Sequence, residues 1–193
     1  ENIQNAYDAI LMRFGKDDAA KYGKIVVNIS SSFIEIRDNG IGMTFDDLQK
    51  HFWYAGSSGK HTEKALSAGV IGNFGIGALA NFGVCEHISV ETRSLANGEY
   101  IASELDLANL EINKNCVLVK SRIPEANNYE IGTKIRLKLQ SQINFNLLDI
   151  NSYINSFICF LPVEVIINNK LLSKNNYADT ITGNEFTTSL TNI

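Results

Sequence analysis

The sequence predicts an α+β fold, a two-layer sandwich in which one mixed, mostly antiparallel sheet carries helices on one face. Three observations carry this expectation. Short β-branched runs recur at hairpin spacing, helix-period segments sit at intervals among them, and 193 residues with 45% hydrophobic and 20% charged side chains suit one globular core. A chain of this size buries roughly 70% of the surface that its unfolded form exposes.

Residues 1–14 read as a helix because Ile3, Ala6, Ile10, Leu11 and Phe14 recur at helical spacing, with Gly15 and Lys16-Asp17-Asp18 ending it. Lys24–Ile29 and Phe33–Arg37 are β-branched runs joined by Ser30-Ser31-Ser32, a strand, a turn and a strand. Thr44 stands before Phe45-Asp46-Asp47-Leu48 as an N-cap, with acids in the first turn of a helix running to about Phe52. From Trp53 to Gly77 the pattern is Gly-, Ser- and Ala-rich and irregular, and Ile76–Phe82 reads as a helix behind the last glycines. Strands are expected at His87–Arg93, Tyr100–Leu105, Cys116–Arg122 and Lys134–Leu139. A helix over Leu147–Phe160, a final strand Val163–Ile167 and a turn at Asn168-Asn169 complete the series. No repeat or linker divides the chain, so 1–193 reads as a single domain, truncated at its N-terminus and excised from a longer protein.

Charge and composition narrow the function. With 17 Lys+Arg against 21 Asp+Glu the net charge is −4, which disfavours broad binding to a nucleic-acid backbone. No apolar run approaches the roughly 20 residues of a membrane helix. Cys85, Cys116 and Cys159 form no CxxC pair and no disulfide framework, consistent with a reducing, cytoplasmic setting. Glycine is unevenly spread: 9 of the 14 lie between Gly40 and Gly83.

Four stretches can carry chemistry. In the first helix Glu1, Asn5 and Asp8 fall within about 60° of one another at 100° per residue. That face is either a solvated stripe or a site in which Asn5 offers an oxygen to a hard cation and Glu1 acts as a general base. Asp38-Asn39-Gly40-Ile41-Gly42-Met43 follows a strand. It is either an ordinary turn or one whose glycines admit a ligand while Asp38 accepts from an exocyclic amine such as adenine N6. Met43 suits a core or a purine surface equally. Gly72-Asn73-Phe74-Gly75-Ile76-Gly77 before a helix suits a phosphate loop, although it is neither a Walker nor a Rossmann pattern. Gly132-Thr133-Lys134 at a strand mouth is weak by itself.

Together, in this order and spacing, the four stretches resemble the four motifs of the GHKL ATPases, the group of gyrase, ninety-kilodalton heat-shock chaperones, histidine kinases and MutL-type repair proteins. Phe160–Val165 with Asn168-Asn169-Lys170 is similar to the strand that closes such domains. The details lean toward the chaperones: Glu1–Ala9, Asp38–Thr44, the Ala55–Lys60 segment and Ile71–Gly77 each resemble their motifs, with Asn73 and Ile76 replacing Gln and Val. The segment His51–Tyr54 and Ala78 depart from that pattern.

The resemblance implies the Bergerat ATP-binding fold, with ATP and Mg²⁺ as cofactors. Glu1 would be the general base and Asn5 the Mg²⁺ ligand. Asp38 would bind the adenine amino group, supported through water by Thr133 and the Gly42 N–H. Met43 and Asp8 would line the pocket. The backbone Gly72-Asn73-Phe74-Gly75-Ile76-Gly77 would hold phosphates, and a lid from about Trp53 to Val70 would bring Lys60 toward them. The implied function is slow ATP hydrolysis that drives lid closure in a chaperone-like protein. Its implied partners are ATP and ADP, further domains of the same chain, a second copy and protein clients, with no membrane or direct nucleic-acid contact. A DNA-linked ATPase of the MutL, MORC or gyrase kind, or a non-catalytic nucleotide-responsive module, are the alternatives. His51, His61 and His87 share no metal-ligand spacing.

Overall fold

The structure, a computed structural model, describes residues 1–53, 81–110 and 115–174, of Phe82 only the backbone. In chain order it contains α1 (Asn2–Tyr22), β1 (Lys24–Ile29), β2 (Phe33–Asp38), a short α2 (Phe45–Asp47) that runs on into a π-helical turn (Leu48–Phe52), a 3₁₀ turn (Asn81–Gly83), β3 (Cys85–Arg93), β4 (Tyr100–Asp106), β5 (Leu118–Ile123), β6 (Gly132–Leu139), α3 (Leu147–Ile158), β7 (Glu164–Ile167) and β8 (Lys170–Leu171). The strands form one sheet in the order β5-β4-β3-β6-β2-β1-β7-β8. The β1–β7 pair is parallel and every other pair is antiparallel. The mixed α+β sandwich expected from the sequence is therefore the fold.

Register shows that both hydrophobic clusters lie on the same face. Ile36 is opposite Ile135 and Ile34 opposite Leu137, while Ile135 and Leu137 are opposite Val90 and Ile88 of β3. Directly paired residues share a face, so the cluster built on Ile25, Val27, Ile36, Val165 and Ile167 continues into that built on Ile88, Val90, Ile101, Ile135 and Leu137. Helix α1 covers the first with Ala6, Ile10 and Leu11, and α3 adds Ile158 with Ile150 and Ile154 packed beside it. Leu48 and Trp53 cover the second. Trp53 is thus a core anchor, its indole N–H donating to Ser103 Oγ at 3.1 Å.

The opposite face is charged and paired across strands. Arg136 meets Glu35 at 3.1 Å, Lys134 meets Glu91, Lys138 meets Glu86 and Lys120 meets Glu104. Exposed pairs of this kind contribute little stability, about 0–1 kcal/mol each. Their consequence is electrostatic: each of the three cations of β6 sits beside an acid, so the strand forms no basic stripe.

Several element boundaries differ from the sequence expectation. Gly15 does interrupt the first helix, with φ 74° and ψ 175°, but a second helical stretch follows to Tyr22 and buries Ala19. Asp17 and Asp18 stand near the start of that stretch, where acids complement the helix dipole. Lys16-Asp17-Asp18 thus restarts the helix rather than ending it. The strand β8 was not foreseen. It arises because Asn168 and Asn169 both take positive φ (46° and 66°), the conformation of a two-residue hairpin turn. Asn168 further clamps the end of β1, accepting from the Ile29 N–H at 2.8 Å and donating to its carbonyl at 3.1 Å. The expected segment from Tyr54 to Val70, Lys60, the loop Gly72–Gly77 and most of the Ile76–Phe82 helix lie outside the described residues.

The Thr44 cap is realised as a capping box. Thr44 Oγ1 accepts from the Asp47 N–H at 3.2 Å, and Asp47 Oδ2 accepts from the Thr44 N–H at 3.1 Å. Thr44→Ala is expected to lower stability by about 1 kcal/mol, read as a lower urea midpoint with an unchanged slope.

Candidate functional site

Strand alternation builds the site. In β2 the residues facing the helices are Ile34, Ile36 and Asp38; in β6 they are Thr133, Ile135, Leu137 and Leu139; in β3 they are Ile88, Val90 and Thr92. Asp38 is paired with Thr133, and Thr133 with Thr92. Two apolar rows across the three central strands thus give way to a polar row at one end of the buried face. All three side chains are buried, at 9%, 8% and 1% exposure.

Hydrogen bonds account for the row. Thr92 Oγ1 lies 3.2 Å from Thr133 Oγ1 and 3.1 Å from the Gly132 carbonyl, and it accepts the Met43 N–H at 2.9 Å. Asp38 Oδ1 accepts the Gly40 N–H at 2.8 Å. Burial dominates the carboxyl and pushes its pKa up to about 7, against the lowering effect of the Gly40 and Thr133 N–H groups and the nearby Arg13 charge.

The turn after Asp38 is threaded between α1 and the end of β3. The Ile41 N–H donates to the Ala9 carbonyl at 3.1 Å, and the Ile41 carbonyl accepts from the Leu95 N–H at 2.8 Å. The two glycines serve this threading. A Cβ on Gly40 would lie 2.5 Å from Ala9 Cβ, and one on Gly42 would lie 1.9 Å from the Arg93 carbonyl oxygen, with φ already at +64°. On the Cβ side of these glycines the close approach is made by Ala9 of α1 and the backbone at the end of β3. Asn39 closes the turn, accepting from the Lys24 N–H at 2.8 Å and donating to the Tyr22 carbonyl at 2.7 Å. Met43 packs, partly buried, against the second hydrophobic cluster.

Helix α1 brings the remaining candidates. Asp8, fully buried, accepts from Gln4 Nε2 at 3.1 Å and directly precedes the Ala9 that abuts Gly40. Asn5 stands one turn earlier, and the exposed Glu1 occupies the N-cap position, its carbonyl accepting the Asn5 N–H at 2.8 Å. From Ala9 back to Glu1 the helix rises roughly 12 Å. The structure thus brings Asp38, Thr133, Gly42 and Met43 to one end of the buried face, with Asp8, Asn5 and Glu1 on the adjoining helix α1 and its N-cap.

Two contributors escaped the sequence reading. Thr92 was legible, since it lies at even spacing from Ile88 and Val90 in a strand whose inward phase is apolar. Arg13 was not. Its Nη1 reaches the carbonyls of Asn39 at 2.7 Å, Ile131 at 3.3 Å and Gly40 at 3.5 Å, contacts that only the folded chain creates.

An open pocket of about 130 Å³ lies on the charged face behind the row, lined among others by Arg37, Glu91, Tyr100, Tyr129, Glu130 and Lys134. Its charges are mutually engaged: Lys134 with Glu91, Arg37 with Glu130, and the Tyr100 hydroxyl with Glu91 at 3.0 Å. His87 is likewise engaged, with Nδ1 2.7 Å from Asp106 Oδ1. No group of three potential metal ligands occurs among the described residues, and no described helix is long and apolar enough to cross a membrane.

The comparisons with known proteins fit this geometry. Residues 1–134, a span that includes Glu1, the Asp38 turn and Thr133, match the family described as histidine kinase-, DNA gyrase B-, and HSP90-like ATPase. A chaperone protein HtpG of Borreliella burgdorferi is 33% identical over 158 residues, covering 74% of this chain and 24% of the relative. One of Bacillus subtilis is 31% identical over 109 residues, covering 51% and 17%. An endoplasmin homolog of Arabidopsis thaliana is 34% identical over 130 residues, covering 54% and 16%. The chain thus spans at most about a quarter of the length of these relatives.

The raised Asp38 pKa has a consequence for stability. Between the ordinary value of 3.8 and about 7, the folded chain holds a proton on Asp38 that the unfolded chain releases. The folded state is therefore favoured at low pH, and this contribution is lost as pH rises through about 7. Asp38→Asn removes the titration. Relative to wild type, the variant is expected to gain stability between pH 4 and 8, by about 4 kcal/mol at most. Urea unfolding of both proteins at the two pH values tests this; a constant difference between them would contradict it.

Proposed function

The chain belongs to the histidine kinase-, DNA gyrase B- and HSP90-like ATPase family, and from that premise we propose that it binds ATP and hydrolyses it slowly, with Mg²⁺, as the nucleotide domain of a cytoplasmic chaperone. The observation that carries this reading is the buried polar row Asp38–Thr133–Thr92, which ends an otherwise apolar face. Burying a carboxyl there is costly, and no packing need explains it. A carboxylate offers about four acceptor sites, more than the Gly40 and Thr133 N–H groups occupy. An adenine N6 amine supplies the missing donor and favours the ionised form of Asp38. Thr133 and the Gly42 N–H support the base from the same end of the buried face, with Met43 and Asp8 beside it.

Asn5 and Glu1 suit a hard cation and a reacting water. The carboxamide and carboxylate oxygens near the start of α1 are the donor type Mg²⁺ takes. In this reading Asn5 holds the ion, which neutralises phosphate charge when bound. The span from Ala9 to Glu1 is of the order of an extended nucleoside triphosphate. Glu1, exposed at the far end, accepts the proton of the attacking water. The segment Gly72–Gly77 holds the phosphates through backbone N–H groups, and residues from about Trp53 to Val70 close over them, bringing Lys60 toward the γ-phosphate. Likeness to chaperones named HtpG and to an endoplasmin homolog supports the chaperone assignment over a DNA-linked ATPase. The acid-paired cations of β6 support it too. Further domains, a second copy of the chain and protein clients complete the proposed machine.

Glu1→Ala is expected to lower single-turnover hydrolysis by 10²–10⁴-fold, the usual contribution of a general base, while ATP affinity measured by calorimetry stays within about twofold. Equal loss of both would remove Glu1 from that role. Asp38→Asn is expected instead to weaken ATP binding by about tenfold or more; an unaltered dissociation constant would sink the adenine assignment. The isolated chain is expected to bind nucleotide and turn it over poorly, and a fast steady-state rate would contradict this.

A further inference from the structure

Arg13 stands at a junction that the ATPase reading does not use. It lies one turn after Ala9 on α1, and its guanidinium donates to backbone carbonyls of two separate segments. Asn39 and Gly40 belong to the turn after Asp38, and Ile131 directly precedes Gly132-Thr133. These two segments carry the register pair Asp38–Thr133. Both are short of slack. A Cβ on Gly132 would sit 2.1 Å from the Asp38 carbonyl oxygen, and Gly40 and Gly42 are packed against α1 and β3. All three contacts are made by one nitrogen, Nη1, whose N–H groups are shared among the three carbonyls while the planar guanidinium fixes their direction. The guanidinium thus ties the helix bearing Asn5 and Glu1 to both halves of the polar row, from behind the turn.

We propose that Arg13 is a positioning residue for base recognition: by holding the carbonyls of Asn39, Gly40 and Ile131 it fixes the Asp38 turn against the start of β6 and so sets the preference for a purine bearing an N6 amine. This rests on Asp38 being the adenine acceptor. Arg13 touches no part of the nucleotide. Without it, the turn carbonyls exchange to water, the Asp38–Thr133 pair loses its brace, and the carboxylate no longer meets the amine at hydrogen-bond distance. A ligand without that amine loses nothing.

The test compares ATP with purine riboside triphosphate, which differs only in lacking the N6 amine, by calorimetry on the full chain. Thermal melting is recorded in parallel. Wild type is expected to favour ATP. Arg13→Met is expected to reduce that preference by about fivefold to tenfold, on the scale of one charge-assisted hydrogen bond, through weaker ATP binding alone. Asp38→Asn is expected to abolish the preference, and Arg13→Met in that background to reduce it no further. If Asp38→Asn abolishes the preference but Arg13→Met keeps it within about twofold, the proposal is overturned and the adenine assignment stands, whatever the melting temperature does. If Asp38→Asn keeps the wild-type preference, the adenine assignment fails and the proposal with it. Should Arg13→Met not fold, Arg13→Gln is read by the same ratio. Its amide is too short to span both segments, so a reduced preference supports the proposal and a wild-type preference overturns it.

Discussion

A buried carboxyl in a register row is the constraint on which the rest of the molecule depends. Asp38 faces the helices because β2 alternates strictly, and it lies beside Thr133 and Thr92 because β2, β6 and β3 are antiparallel and in register. A slip of one residue on β2 would send Asp38 to the charged face and bring Arg37 under the helices. The apolar rows Ile36–Ile135–Val90 and Ile34–Leu137–Ile88 prevent that slip, since it would turn the β2 members of both rows toward water. The hydrophobic core therefore orients the polar row as well as stabilising the sheet.

The same arrangement explains why the turn after Asp38 is so closely held. A carboxyl at about 7 is poised between two protonation states, so its surroundings decide how it behaves. Gly40 and Thr133 supply N–H groups, Arg13 supplies charge, and Ala9 and Arg93 leave the turn no room for side chains. Stability and recognition are opposed here. In the proposed reading, the burial that would make Asp38 a discriminating acceptor is the same burial that destabilises the folded state when the group ionises.

Particular residues show what was legible in the sequence. The Thr44 cap and the Ser30-Ser31-Ser32 turn were visible because each is local, a side chain and a backbone group within three residues carrying the interaction, and the Asn168-Asn169 turn because asparagine tolerates positive φ. Thr92 was visible in the alternation of β3, but only to a reading that extended the inward phase to the end of the strand. The continuation of α1 past Gly15 was obscured, because a glycine and a charged triplet look like a stop until Ala19 finds its place in the core. Gly40 and Gly42 were visible as positions of close approach, and only the folded chain shows that α1 and the end of β3 fill the space where a Cβ would stand.

By itself the sequence determined the strand phases, the caps and turns, and the order of the motif stretches, because each of these follows from side chains within a few residues of one another along the chain. It also determined the family, which rests on four such stretches in series. The tertiary structure decided which ends of the strands meet. The row from Asp38 to Thr92 spans 54 positions and the reach of Arg13 to Ile131 spans 118, and no local pattern encodes either distance. Those contacts exist because antiparallel pairing and the packing of one apolar face bring remote backbone groups within hydrogen-bond range, where burial then sets the chemistry of Asp38.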